Sequence, residues 1–427
     1  MASNRDIMET SERIPLLSES STIVRIQPSK WRQCSVLIAC MYLHFMSLGF
    51  APVLGVIYVE LIRQFNSARS VTAIVQSMFQ GLTYVGGILF SGIVTKIGVG
   101  APVMIASVLS GLAVFFSAFS VNIYMVIVLV GFVGGLAMSI NYLCAFVAVG
   151  WMFVSNRRSA LAFLTMATAV GQTFLPNFAD YLIDVYGWTG AFMIFGGLIL
   201  NSIPCGLLLH FSQDFFSKET TQSSKIDPVK EKMCQCNSKQ DIAYILFVVV
   251  CFIFPGTSAV ESWFTVDLSE LRGFDRQQGT ILLSLVGAFG LCGRLLGTTL
   301  LKIWAKVKIA IPLAISFVFL ALAHFLVVYF IDFYGMLGGI FVRGISIGMV
   351  MCLIPGMQLE LRGIKRFPRT VALCNVLSGV GIVVCGYLGG LVADWTGGYD
   401  LAFYIAIGVS LLCGVLMAII RCLQKLE

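Results

Sequence analysis

Long runs of apolar residues recur along nearly the whole chain and are separated by short polar segments. About 20 such residues form a helix that crosses a bilayer. The pattern therefore predicts an all-α membrane protein with twelve transmembrane helices. Their expected positions are roughly residues 34–62, 72–95, 101–120, 123–149, 159–180, 188–211, 241–264, 279–301, 309–330, 335–356, 371–393 and 400–420.

The composition supports the same class. Hydrophobic residues make up 58% of the chain and charged residues 11%, whereas a soluble domain carries about 25% charged residues. The sequence contains no phosphate-cradling Gly-Lys-Ser/Thr loop, no Gly-x-Ser-x-Gly elbow and no His-Glu-x-x-His site. It is therefore not expected to be an enzyme, and neither a cofactor nor a metal is expected.

Basic residues are distributed unevenly between the two ends of the predicted helices. With the first residue in the cytoplasm, 22 of the 28 Lys and Arg residues lie in cytoplasmic segments and four on the opposite side. Lys and Arg near the ends of spans are retained on the cytoplasmic side. Both termini are therefore expected to be cytoplasmic, and the net charge of +7 needs no nucleic-acid partner to explain it.

The first 33 residues are polar and are expected to form a disordered cytoplasmic tail without a removable signal peptide. In this tail Glu12, Leu16 and Leu17 have the spacing of an acidic dileucine sorting signal. A pattern this short also arises by chance, so both interpretations remain open. The plasma membrane is the expected location, and an endosomal or lysosomal membrane is the alternative.

A repeat with a period of 211 residues divides the predicted helices into two sets of six. The segment GWTGAF at 187–192 recurs as GYDLAF at 398–403, and Arg158 recurs as Arg369. Two parallel six-helix bundles resemble the architecture of the major facilitator superfamily. The expected units are a disordered tail at 1–33, a bundle at 34–211, a cytoplasmic linker at 212–240, a second bundle at 241–420 and a tail at 421–427.

Arg294 lies within the predicted span at 279–301. An Arg inside the bilayer costs at least about 2.5 to 3.5 kcal/mol unless it faces protein or water. Glycines at spacings of three and four surround it, which clears one side of the helix for a neighbouring backbone or a ligand. Arg294 is therefore interpreted as part of a pathway for an anion, and the alternative is a pair with a buried carboxylate. These glycines are Gly287, Gly290, Gly293 and Gly297.

Other polar residues inside the spans are further candidates. Arg343 is interpreted either as a second substrate cation or as the partner of an acidic residue, and Asn141 as a substrate-binding candidate. Glu261 lies near the outer end of its span, which favours an ordinary solvated carboxylate. His44 is either exposed to the pathway or packed. Asn375, Tyr142 and Phe289 are weaker candidates for the cavity, because aromatic residues in spans more often pack or face lipid.

Prolines and hinge arginines are candidates for gating. Pro52 is expected to bend the outer half of the first span, and Pro255 to break the seventh, because proline removes a helical hydrogen bond. Arg157 and Arg158 in the fourth hinge, with Arg369 in the tenth, are the basic hinge candidates.

Several motifs resemble those of the monocarboxylate transporter family over nearly all of the membrane portion. The hinge WMFVSNRRSALA aligns without gaps with the family's hinge at Phe153, Arg157 and Ala160. The run GWTGAFMIFGGLILNSIPCGLLL, which begins at Gly187, is similar to the family's Gly-Trp-Arg-Gly and Gly-Gly-Leu-Leu-Leu-Asn pattern. Arg294, preceded by LLS at 282–284, matches the family's anion-binding Arg.

The departures from the family bear on coupling. The family's first-helix Lys falls on or near Pro52, and the Asp that precedes its Arg by four residues falls on Gly290. In proton-coupled members those groups handle the carboxylate and the proton. Transport is therefore expected to be facilitative, unless Glu261 or His44 serves as the proton carrier.

The sequence is consistent with three functions. The first is a secondary transporter of small organic anions, expected to be monocarboxylates, that works by alternating access. The second is a carrier of aromatic or other amino acids, and the third a non-transporting membrane sensor or scaffold. The expected partners are the substrate, membrane lipid and, by resemblance alone, a single-span immunoglobulin-like chaperone.

Overall fold

The protein is represented by a computed structural model that describes residues 29–153, 157–215, 238–303 and 308–425. Glu12, Leu16 and Leu17 lie outside these residues, as do the side chains of Arg157 and Arg158. Most of the linker expected at 212–240 also lies outside them, so the proposed division of the chain stays a prediction.

The described residues form helices and no strands, which confirms the predicted all-α class. The helices are α1 (Lys30–Ser47), α2 (Val53–Phe65), α3 (Arg69–Ile97), α4 (Gly100–Ser117), α5 (Ile123–Val126), a π-helix (Ile127–Gly134), α6 (Gly135–Met152), α7 (Arg157–Leu200), α8 (Ser202–Phe211), a 3-10 turn (Gln213–Phe215), α9 (Ser238–Leu271), α10 (Arg276–Ile303), α11 (Ala310–Tyr329), α12 (Phe333–Thr396) and α13 (Asp400–Lys425).

The first predicted span consists of two helices, α1 and α2. Helix α1 ends at Ser47, and Pro52 precedes the first residue of α2 with a φ of −66°. A proline has no N–H to donate to the preceding turn, and its fixed φ suits the start of a helix. The bend expected at Pro52 is therefore present as a complete break.

The break expected at Pro255 is absent, and that prediction was wrong. Helix α9 runs unbroken from Ser238 to Leu271 through Pro255. The carbonyl that loses its helical donor is that of Cys251, four residues earlier, and the Ser378 hydroxyl of α12 donates to it at 2.8 Å. A neighbouring helix thus supplies the missing hydrogen bond, which is how proline is tolerated within membrane helices.

Two glycines divide the longest helices. Gly187 within α7 has φ 71° and ψ 175°, and Gly363 within α12 has φ 66° and ψ 172°. Neither conformation is helical, and positive φ is accessible chiefly to glycine. In the described residues, ten segments are long and apolar enough to cross a membrane, and one of them, Phe163–Phe211, contains Gly187. The count of twelve stays a prediction.

We call α1–α8 the first half and α9–α13 the second half. Three pairs of helices pack against each other extensively between the halves. Helix α3 packs on α12, α7 on α10 and α2 on α9. Many large apolar side chains, such as Phe116, Phe319 and Leu411, are exposed on the outside of the molecule. Lipid tails would cover such side chains in a membrane, whereas water would not tolerate so many.

Candidate functional site

A cavity of about 910 Å³, including the part open to solvent, lies between the two halves. Both candidate gating prolines, Pro52 and Pro255, line it. The polar side chains of the first half in its wall are Gln80, Tyr84, Thr168 and Gln172. Those of the second half are Ser258, Ser262, Trp263 and Arg294.

Arg294 is the cationic side chain in the described wall of this cavity. It lies on α10, about 27 Å along the helix from Arg276 at the first turn. Its Nη1 donates to the main-chain carbonyl of Thr165 on α7 at 2.5 Å, so it connects the two halves. Within the described residues no carboxylate lies within ion-pair distance of it. Its charge therefore remains available to an anion.

The glycines around Arg294 do what the sequence predicts. A Cβ at Gly293 would lie 2.2 Å from the Ile345 carbonyl of α12, and one at Gly287 would lie 2.8 Å from the Gln172 backbone of α7. At Gly290 the nearest atom to such a Cβ is 3.7 Å away. The glycines thus bring α10 close to both neighbours, and Gly290 presents no side chain to the cavity that it lines, one turn from Arg294.

Four aromatic rings of the first half lie beside the cavity, and we call them the aromatic cluster: His44, Tyr84, Tyr142 and Phe146. Tyr84 lines the cavity itself. The Tyr142 ring lies 6.0 Å from that of Tyr84 and 4.9 Å from that of His44. Phe146 packs 4.7 Å from His44. His44, Tyr84 and Tyr142 all interact electrostatically with Arg294, so the cluster and the guanidinium belong to one region.

His44 is 1% exposed, and neither of its ring nitrogens has a hydrogen-bond partner within the described part of the chain. Buried polar groups in proteins are nearly always hydrogen-bonded, and an unsatisfied one costs about 1 to 3 kcal/mol. Of the two interpretations of His44, the structure supports a packed position.

Arg343 is completely buried behind the cavity wall. Its Nε donates to Glu261 Oε2 at 3.0 Å, and its Nη2 donates to the Ser258 carbonyl and the Ser262 hydroxyl at 3.1 and 3.0 Å. His324 Nε2 lies 2.6 Å from the same carboxylate oxygen. We call Glu261, His324 and Arg343 the buried charge cluster. Of the two interpretations of Arg343, the geometry supports the partner of an acidic residue.

Glu261 is 2% exposed, so the expectation of a solvated carboxylate was wrong. Arg343 of α12 and His324 of α11 enclose it. His324 was missed in the sequence. The available signal was a lone imidazole within the apolar run LALAHFLVV at 320–328.

Asn141 and Arg369 lie outside the described cavity wall. Asn141 is 1% exposed, and its amide nitrogen lies 3.4 Å from the Ser107 hydroxyl of α4. It is absent from the described cavity wall. Arg369 is exposed on α12, and Arg157 begins α7. Among the described side chains, neither Asn141 nor Arg369 joins Arg294 in the cavity wall.

Ion pairs join the two halves at one end of the bundle, and we call them the end network. Arg276 of α10 forms ion pairs with three carboxylates of the first half, which are Glu60 at 2.8 Å, Asp180 at 2.6 Å and Asp184. Arg63 pairs with Glu270 at 2.6 Å. None of these positions was assigned a site role from the sequence.

Hydrogen bonds extend the end network. Arg69 of α3 pairs with Asp267 of α9 at 2.9 Å, and the main-chain N–H groups of Arg69 and Ser70 donate to Asp394 of α12. The Tyr399 hydroxyl donates to Asp267 at 2.5 Å. Carboxylates of the second half thus hold the first turn of α3 in the first half.

Residues 37–362 match the Major Facilitator Superfamily, which is more than half of the chain. The chain belongs to the major facilitator superfamily. It is 27% identical to mouse monocarboxylate transporter 6 over 404 residues, which cover 89% of this chain and 86% of that protein. It is 23% identical to chicken monocarboxylate transporter 4, covering 87% and 79%. The predicted resemblance to a distant monocarboxylate transporter is confirmed.

Solved structures agree on the superfamily fold. A POT family transporter in complex with 5-aminolevulinic acid aligns with a TM-score of 0.75 at 11% identity, covering 90% of this chain and 95% of that one. A bacterial homologue of the human lysosomal transporter Spinster aligns with a TM-score of 0.70 at 13% identity, covering 93% and 98%. The protein is therefore a multi-pass membrane protein with the superfamily's transporter fold.

The buried charge cluster leads to a prediction about stability. Glu261→Gln leaves Arg343 without its counter-charge inside the protein, and breaking such a buried pair costs about 3 to 5 kcal/mol. We expect thermal unfolding of the purified protein to begin several degrees lower. The matched control is Glu270→Gln, because the Arg63 partner of Glu270 is 58% exposed and such pairs contribute about 0 to 1 kcal/mol. Equal melting temperatures for the two variants would contradict a structural role for the cluster.

Proposed function

We propose that this superfamily transporter carries small organic anions, chiefly monocarboxylates, by facilitative alternating access. The proposal rests on the hydrogen-bond partner of Arg294 in the cavity. Its guanidinium meets a main-chain carbonyl and, among the described residues, no carboxylate. A guanidinium presents parallel N–H donors that match a carboxylate, and burial strengthens the interaction. The resemblance to monocarboxylate transporters supports the same class of substrate.

The amino-acid alternative is less favoured. A zwitterion brings an ammonium group together with its carboxylate, and an ammonium group in a protein cavity needs a negative or strongly polar partner. No Asp or Glu lines the described wall of the cavity. The cavity beside Arg294 could hold a transported anion, and it gives no reason to prefer a non-transporting sensor.

Arg294→Lys tests the anion site. An ammonium acts as a point charge and cannot form two parallel hydrogen bonds to a carboxylate. We expect monocarboxylate uptake per surface molecule to fall about tenfold or more, with little change in surface expression, since one lost charged hydrogen bond costs about 1.5 to 3 kcal/mol. The matched control is Arg362→Lys, because Arg362 pairs with Asp241 outside the cavity. Normal uptake in both Arg294→Lys and Arg294→Ala would show that the substrate binds elsewhere.

The end network supports alternating access. It joins the two halves at one end of the cavity through ion pairs, and such polar contacts form and separate more readily than a sealed apolar core. In the proposed cycle the network separates when the cavity opens at that end and forms again when it closes. The predicted topology assigns this end to the extracytoplasmic side.

Arg276→Ala tests this gate. The substitution removes the contacts with Glu60, Asp180 and Asp184, all in the other half, so we expect uptake per surface molecule to fall several-fold. Arg272→Ala is the control, because Arg272 pairs with Asp400 within its own half. The exchange Asp180→Arg with Arg276→Asp should restore part of the uptake. Equal uptake in Arg276→Ala, Arg272→Ala and the unmodified protein would refute the gate.

The proposal of facilitative transport is supported by the described cavity wall, which places no Asp or Glu beside Arg294. Uptake should change little when the external pH is stepped from about 5.5 to 7.5 at fixed internal pH, a range that spans the ordinary pKa of His. The substrate must keep a constant ionisation over this range. A several-fold rise at acid pH, with intracellular acidification, would show proton coupling. Loss of that rise in Glu261→Gln or His44→Ala would then identify the proton carrier.

A few expectations stay predictions. They are the cytoplasmic position of both termini, the plasma membrane as the location, the dileucine signal at Glu12, Leu16 and Leu17, and the single-span chaperone. None of them bears on the chemistry of the cavity.

A further inference from the structure

We propose that a second pocket, at the end of the second half remote from the end network, binds the head group of a phospholipid that carries a single negative charge on its phosphodiester. We call it the lysine pocket. Its volume is about 600 Å³, including the part open to solvent, and its polar wall includes Lys239, Lys308, Glu360 and Gln424. Within the described walls it shares no residue with the central cavity, so the proposal is independent of the transported substrate.

The lysine pocket lies between the ends of several helices of the second half. Lys239 is in the first turn of α9, and Lys308 precedes α11. Glu360 lies within α12, and Gln424 is in the last turn of α13. Glu270 of the end network is about 46 Å from Lys239 along α9, at 1.5 Å per residue. The pocket is therefore at the opposite end of the bundle, which the predicted topology assigns to the cytoplasmic side.

The charges of the lysine pocket do not balance. The carboxylate of Glu360 lies 3.3 Å from Lys308 Nζ and accepts from the Ile309 N–H and the Gln424 amide, also at 3.3 Å. Lys239 has no ion pair or hydrogen bond in the part of the chain that the structure describes. Two lysines and one carboxylate thus leave one positive charge in the described wall. A phosphodiester supplies one opposite charge, and its oxygens accept hydrogen bonds from ammonium groups.

An exposed apolar stripe extends from the lysine pocket along α9. Ile242, Ile245 and Val249 follow Lys239 at spacings of three, three and four residues, which places them on one face of the helix. Their exposed fractions are 45%, 60% and 38%. A phosphate at Lys239 would place an acyl chain of the same molecule against these side chains. A soluble phosphate ester would leave the stripe unused, so the surface favours a lipid.

The predicted position in the membrane agrees with this ligand. Anionic lipids are concentrated in the cytoplasmic leaflet, and basic pockets between helices on that side bind their head groups. Inositol and glycerol head groups keep the single charge of the phosphodiester, whereas choline cancels it. The lysine pocket is therefore expected to prefer phosphatidylinositol over phosphatidylcholine.

Binding of phosphatidylinositol to the purified full-length protein in detergent tests the proposal. Native mass spectrometry measures the dissociation constant of the first bound lipid. Phosphatidylcholine of the same acyl composition should bind several-fold more weakly. Glycerophosphoinositol has the inositol head group without acyl chains, and at a concentration equal to that of the lipid it should not displace it.

Variants assign the preference to the lysine pocket. Lys239→Gln should weaken binding of phosphatidylinositol about fivefold, which is the contribution of one lysine to binding of an anionic lipid. Glu360→Gln keeps an acceptor for the Ile309 N–H but removes the negative charge, so it should strengthen binding several-fold. The matched control is Lys96→Gln, which should bind like the unmodified protein. Lys96 is exposed in the last turn of α3, at the same end of the bundle but in the first half.

The outcomes distinguish a pocket from a generally basic surface. No preference for phosphatidylinositol over phosphatidylcholine, an unchanged constant in Lys239→Gln, or an equal loss in Lys96→Gln would overturn the lysine pocket. Weaker binding in Glu360→Gln would overturn an anion as its ligand. Displacement by glycerophosphoinositol would overturn the lipid and indicate a soluble phosphate ester. These measurements do not involve uptake, so their failure leaves the proposed function standing.

Discussion

A guanidinium inside a membrane protein cannot be left without polar partners, and the two intramembrane arginines meet this constraint in different ways. Arg343 has a carboxylate, a carbonyl and a hydroxyl around it and is completely buried. Arg294 has a carbonyl of the opposite half and an open cavity. The first arrangement satisfies the charge within one half of the protein. The second leaves a positive charge for which an anion is the natural partner, and the proposed function depends on this difference.

In the proposed alternating-access cycle, the interface between the halves must hold together and also separate. Its end network consists of ion pairs that include the partly exposed Arg63 and Arg69, and water can replace their partners when the halves move apart. The cavity has Arg294 in the wall of the second half and Tyr84 in the wall of the first. Where the cavity separates the two halves, a ligand that contacts both walls would replace part of the missing contact between them. Binding and closure would then be linked through the same surface.

Glycine and proline determine how closely the helices approach. Gly293 and Gly287 allow α10 to contact the backbones of α12 and α7, and these contacts place Arg294 between the halves. Pro52 interrupts the first span, whereas Pro255 does not interrupt α9, because Ser378 donates to the carbonyl that the proline leaves free. The same residue type therefore has opposite consequences, depending on whether a neighbouring helix provides a donor.

The sequence by itself determined the membrane class and the superfamily and singled out Arg294 as a charge within a span, because apolar length, glycine spacing and an isolated charge are local features of the chain. It also placed Pro52 correctly. It did not determine which charges pair. Glu261, His324 and Arg343 are far apart in sequence, and only the packing of α9, α11 and α12 makes one buried cluster of them. The end network around Arg276 and the rings beside His44 likewise depend on contacts between distant helices, and no local pattern reports such contacts.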